Sequence, residues 1–84
     1  MWTVILGKPV RRRIERIPNP DKERIKKAIK DLETKHKQMD IKPLVGRNLH
    51  RLRVGNWRLL MVMNEEEKVI LITTLDSRGD VYKK

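Results

Sequence analysis

Residues 42–63 read KPLVGRNLHRLRVGNWRLLMVM, and the order of apolar and basic residues in this stretch decides the fold. From Leu49 to Val54 and from Trp57 to Met63 the chain has the composition of strands. Gly55-Asn56 separates them with two residues suited to a tight primed turn. A two-residue loop fixes the register: Val54 faces Trp57, Arg53 lies opposite Arg58, and Arg51 follows two residues along on the same face. The other face then carries Leu52, Val54, Trp57, Leu59, Met61 and Met63, the apolar set expected to cover helices. His50 shares that core-side parity, and Trp57 reads as a core residue rather than a stacking platform. Leu60 and Val62 fall on the arginine face, which implies that this face too is partly buried.

No acidic residue occurs from Ile41 to Met63, while Lys42, Arg47, Arg51, Arg53 and Arg58 all do. The positive charge in this stretch therefore has no neutraliser of its own. Like charges directly opposite each other in a sheet cost a few tenths to about 1 kcal/mol. The Arg53–Arg58 pair is thus expected to gain from a bound anion.

Working outward, Val69 to Asp76 is a third strand-like run, set off from the second by the polar segment Asn64 to Lys68. The three runs predict an antiparallel meander. Met39 to Asn48, with Pro43 and Gly46, has no clear period and reads as a surface connection. Before it, Val10, Ile14 and Ile17 repeat at helical spacing, with Arg11, Arg12, Arg13 and Arg16 mostly off that face. Pro18-Asn19-Pro20 ends this helix. Ile25, Ala28, Ile29 and Leu32 line a second helix, running from Asp21 to about His36 or Lys37. Trp2 to Leu6, closed by Gly7 and Pro9, is a short first strand. The tail, Ser77 to Lys84, is polar, with a turn expected at Gly79 before Val81 and Tyr82. The predicted fold is α+β, in the order β-α-α-β-β-β, with a helical hairpin on one face of a small, mostly antiparallel sheet. Residues 1–84 are expected to form one domain.

Composition narrows the functional classes. The 84 residues include 21 Lys and Arg against 11 Asp and Glu, a formal charge of +10. Such an excess favours an anionic partner, nucleic acid first. Its bland alternative is the charged surface of a thermostable protein. There is no cysteine, so neither disulfides nor thiolate metal sites are available, which suits a reducing cytoplasm. The apolar start is too short for a membrane span, and its charges follow rather than precede the apolar run, unlike a signal peptide. Trp2, Trp57 and Tyr82 are the sole aromatics, too few for a base-stacking sheet of the RRM or OB type. No glycine-rich phosphate loop, metal-ligand cluster or Ser/His/Asp set is visible. Lysine and arginine must carry recognition, and no cofactor is expected.

The order of elements, the stretch at 42–63 and the ending DSRGDVYKK at 76–84 together resemble the RelE/ParE superfamily of toxins from toxin-antitoxin systems, the RelE branch more closely. The stretch is similar to the family's basic strand, turn and Arg-bearing strand, and the ending to its Arg-x-x-x-Tyr close. The resemblance implies a concave basic face that enters the ribosomal A site and cuts mRNA, and a RelB-like antitoxin that wraps the toxin. Arg58 matches the arginine that steadies the scissile phosphate. Tyr82 matches the C-terminal tyrosine that orients or stacks on the substrate, and Arg78 the arginine four residues before it. Arg51 and Arg53 stand where the best-known RelE enzymes have lysines, and Asp76 where they have a further arginine.

RNA supplies its own nucleophile, the 2′-hydroxyl, so a ribonuclease need only align the chain, assist proton transfer and stabilise charge growing on phosphorus. Arg51, Arg53 and Arg58 suit the last task, since a guanidinium presents a rigid fork to phosphate oxygens. It stays protonated, however, so the base is left open among Tyr82, Lys42, His50 and a ribosomal RNA group. The expected catalytic set is Arg51, Arg53, Arg58, Arg78 and Tyr82, with Lys42, Arg47, Arg51 and Arg53 binding RNA. Two other readings share the fold: a ParE-like inhibitor of DNA gyrase, and a catalytically weak nucleic-acid binder.

Overall fold

The computed structural model describes residues 1–44, 46 and 48–77. The helices form where the apolar residues recur every three or four positions. Helix α1 spans Lys8–Arg16 and buries Val10 and Ile14; α2 spans Asp21–Lys35 and buries Ile25, Ala28 and Leu32. Ile17 ends α1 in an extended conformation and is itself buried, as expected beside a proline that disfavours helix at the preceding residue. A 3₁₀ turn, His36–Gln38, follows α2.

The sheet has five strands: β1 (Thr3–Leu6), β2 (Ile41–Pro43), β3 (His50–Val54), β4 (Trp57–Asn64) and β5 (Val69–Asp76). Their spatial order is β1-β5-β4-β3-β2, with β1 parallel to β5 and every other pair antiparallel. The hairpin register is the one expected, with Val54 opposite Trp57 and Arg53 opposite Arg58. Gly55 takes φ +58°, the left-handed value that a primed turn requires and glycine adopts without strain.

The α+β class and the helices on one sheet face are as the sequence implied. One element differs. The segment read as a plain connection contains β2, which pairs antiparallel with β3 through Ile41–Leu52, Lys42–Arg51 and Pro43–His50. Three residues are too few for a two-residue period to show, and Pro43 is tolerable because an outermost strand has an edge that needs no donor.

The core lies between the helices and one sheet face. It joins Val10, Ile14, Ile17, Ile25 and Leu32 to Leu52, Leu59, Met61, Ile70, Ile72 and Leu75. Val54, Trp57 and Met63 pack partly buried against it. Trp57 also donates its indole Nε1–H to Asp21 Oδ2 at 3.1 Å, tying the first turn of α2 to the start of β4.

The strict alternation of β5 breaks once. Leu60 pairs with Thr74 while Met61 pairs with Ile72, so Thr73 is an extra residue, and its hydroxyl donates to the Leu60 carbonyl at 3.3 Å. The bulge turns Leu75 into the core and Asp76 to the opposite face.

Candidate nucleic-acid interface

On the face away from the helices, two rows of side chains cross the sheet near the Gly55-Asn56 turn. In the first, Arg53 on β3 lies opposite Arg58 on β4, and Arg58 opposite Asp76 on β5. Asp40, just before β2, closes the other end: its carbonyl accepts from the Arg53 amide at 3.3 Å, and its Oδ2 lies 3.7 Å from Arg53 Nε. The second row is Lys42, Arg51, Leu60 and Thr74. Arg51 Nη2 reaches back to Asp40 Oδ1 at 4.0 Å.

These arginines are not equivalent. The Arg51 side chain is only 10% exposed and that of Arg53 53%, while Arg58 is half-buried and Lys42 exposed. Arg51 lies beside Leu60, itself buried, so it backs the site more than it lines it. The expectation of partial burial on this face is met at these two positions. Arg58 Nε is buried without a hydrogen-bond partner among the described residues. That nitrogen is shielded from solvent, so contact with an anion falls to the outer nitrogens of the guanidinium.

The absence of a neutraliser is corrected by the structure. Asp40 lies one residue before the acid-free stretch and serves both Arg51 and Arg53; Asp76 faces Arg58 and stands 3.8 Å from Arg13 Nη2 on α1. The Arg53–Arg58 pair is therefore flanked by a carboxylate on each side, which relieves part of its cross-strand repulsion. Four cations still meet two carboxylates along these rows. Asp40 left no signal in the sequence, because its place against residue 53 follows from the register of β2, which is too short to show a period. The signal for Asp76 was the change of spacing from Ile70 and Ile72 to Leu75.

His50 keeps its core-side parity, opposite Met61, and its Nδ1 is buried without a partner among the described residues. Its place on that face separates it from the arginine rows. Of the sequence-expected residues, Lys42, Arg51, Arg53 and Arg58 come together here; Arg47, Arg78 and Tyr82 lie outside the described residues. No group of three or more His, Cys, Asp or Glu among the described residues is placed to hold a metal ion, and no described helix is long and apolar enough to cross a membrane.

The two-helix layer on one face of this five-stranded sheet is a RelE-like fold, as its matches to solved structures show. Among solved structures it is similar to the archaeal RelE–RelB complex of Pyrococcus horikoshii OT3, at 27% identity over 93% of this chain and 96% of that one, with a TM-score of 0.79. The RelBE2 toxin-antitoxin complex of Mycobacterium tuberculosis matches at 24% identity, covering 92% of this chain and 98% of that chain, TM-score 0.79. The isolated RelE toxin of E. coli shares the fold at a TM-score of 0.70 with 8% identity, over 94% of this chain and 86% of that one. No protein-family model and no curated protein matches the sequence. The resemblance to RelE read from the sequence thus rests on shape as well as on motif.

Proposed function

We propose that this chain is a cytoplasmic RelE-type toxin, residues 1–84 forming one toxin domain, that stops translation by cutting mRNA on the ribosome without a metal cofactor. The observation that carries this reading is the Arg53–Arg58 pair on the helix-free face, only partly neutralised by the carboxylates at its ends.

In this reading Arg58 grips the scissile phosphate and stabilises the charge that grows as the 2′-hydroxyl attacks. Arg53, exposed beside it, holds the same phosphate or its neighbour. Arg51 acts from behind, keeping Asp40 and hence Arg53 in place, and Lys42 meets the RNA backbone at the edge. The resemblance assigns Arg47 to RNA binding, and Arg78 and Tyr82 to substrate orientation or proton transfer. With His50 on the core side, Tyr82, Lys42 or a ribosomal group supplies the base. General base help is worth roughly 10²–10⁴-fold, so a chain that borrows it from the ribosome is slow on free RNA. The solved relatives of Pyrococcus horikoshii and Mycobacterium tuberculosis are toxin–antitoxin or RelE–RelB complexes. By the same resemblance, a RelB-like antitoxin is the cognate partner of this chain, with ribosome and mRNA as its targets.

The test is a cell-free translation reaction in which new 5′ ends on the mRNA are mapped, with ribosome-free RNA as control. Cuts within codons that require ribosomes are expected. Intact mRNA, together with gyrase stalled on DNA in a parallel assay, would transfer the chain to the ParE-like reading.

A further inference from the structure

Helix α1 carries five basic residues, Lys8, Arg11, Arg12, Arg13 and Arg16, among its nine, against one acid, Glu15. All five are exposed. Within the helix these charges act both ways, since Arg13 and Arg16 in the last turn suit the negative end of the dipole. Its first turn holds no acidic residue, although the positive end of the helix dipole favours one there. Lys8 with Arg12, and Arg12 with Arg16, are like charges four residues apart, which also disfavours the helix. Val10 and Ile14 bury one side of α1 and leave its basic residues in solvent. Among the described residues, Arg13 alone of the five makes an ion pair, with Asp76.

Arg12, Arg13 and Arg16 also line an open groove of about 750 Å³ between α1 and the ends of β4 and β5, shared with Trp57, Thr73 and Thr74. Arg13 joins this groove to the arginine row on the sheet, because its partner Asp76 is the cross-strand neighbour of Arg58. At the far end of β4 the sign reverses: Glu65, Glu66 and Glu67 follow the strand, about 24 Å from Arg58 at strand rise. A polyanion on the sheet is thus drawn toward α1 and repelled from the opposite end.

We propose that the α1 groove is the second half of the RNA interface, holding the phosphate backbone that continues past the Arg53–Arg58 row. Arg12 and Arg16 stand one helical turn apart, about 6 Å along the axis, on the scale of successive phosphates of one strand. The apolar residues of the groove floor, Val10, Ile17 and Leu75, are already buried by the protein's own core. The guanidinium groups of Arg12 and Arg16 are exposed along its rim, and it is this charge that a phosphate backbone complements. The inference rests on the RNA reading above.

Its test is binding of a single-stranded RNA oligomer to the full chain across a salt titration, comparing wild type with Arg12→Gln/Arg16→Gln. Each phosphate contact on a single strand contributes about 0.7 to the slope of log affinity against log salt. The double variant is expected to lose about 1.4 from the slope and roughly tenfold or more in low-salt affinity, with thermal unfolding unchanged or slightly higher. An unchanged slope overturns the groove assignment even if wild type cleaves mRNA on ribosomes. A reduced slope with no cleavage by wild type upholds the groove and removes the nuclease. Failure of wild type to bind RNA at low salt overturns it, as does loss of poly-glutamate binding with RNA binding intact, which would assign the groove to an acidic protein partner.

Discussion

The two faces of the sheet are built from the same strands by opposite rules. On the helix side, the central side chains are placed where folding alone wants them: Leu52, Leu59, Met61, Ile70 and Ile72 are fully buried and uncharged. On the open side, Arg53 faces Arg58 across the strands, and Asp40 and Asp76 only partly offset them. A neutral sheet without that pair would fold at least as well. The difference teaches that the strand period specifies the fold through one face, which leaves the other free to hold groups that attract an anion at some cost to stability.

The largest effect that separates the faces is expected on the core side. Leu59→Ala removes a fully buried side chain opposite Leu52 and Leu75 and is expected to cost about 2–5 kcal/mol, read from denaturant unfolding. Its neighbour in sequence should behave in the opposite way. Arg58→Ala is expected to reduce ribosome-dependent cleavage by about 10²–10³-fold, the usual loss for one donor to a developing oxyanion. Its stability should stay within about 1 kcal/mol of wild type. Unfolding of Arg58→Ala comparable to that of Leu59→Ala would break the comparison, because it would place Arg58 among the groups that hold the fold.

A smaller effect tests where the faces meet. Trp57 lies at the rim of the core and donates to Asp21 Oδ2. Trp57→Phe keeps most of the ring and removes the donor, so a loss of about 0.5–1.5 kcal/mol is expected. A much larger loss would mean that the indole, not the hydrogen bond, anchors α2 on β4.

How much of this was legible beforehand follows from the length of each pattern. The hairpin at 49–63 shows its period over a dozen residues and carries turn residues that fix register, so both its faces and the Arg53–Arg58 pair could be read directly. β2 has three residues and no alternation to display. Missing it also hid Asp40, since residue 40 comes against Arg53 only through the pairing of Ile41 with Leu52. The bulge at Thr73 is a second local departure: strict alternation from Ile72 would have sent Asp76 to the core face, and only the burial demanded by Leu75 restores it to the arginine row. The arginines of α1 were visible off the apolar face, but their approach to the sheet depends on helix docking, which no local period encodes.

The smallest expected effect is the most informative about the open face. Read from the hairpin alone, Arg53→Glu should stabilise the fold, because it turns a repulsive cross-strand pair with Arg58 into an attractive one. The structure changes that expectation, since the same side chain lies 3.7 Å from Asp40 and the substitution creates a new repulsion there. Both groups are about half exposed, so each interaction is small and the two nearly cancel. Stability of Arg53→Glu is expected within about 0.5 kcal/mol of wild type, while RNA affinity falls. In an Asp40→Asn background the repulsive half is removed, and Arg53→Glu should then stabilise by a few tenths to about 1 kcal/mol relative to that background. A double-mutant cycle measured by thermal unfolding reads this directly. If Arg53→Glu raises stability equally with and without Asp40, the carboxylate is not coupled to the arginine row, and the open face carries its full unneutralised charge.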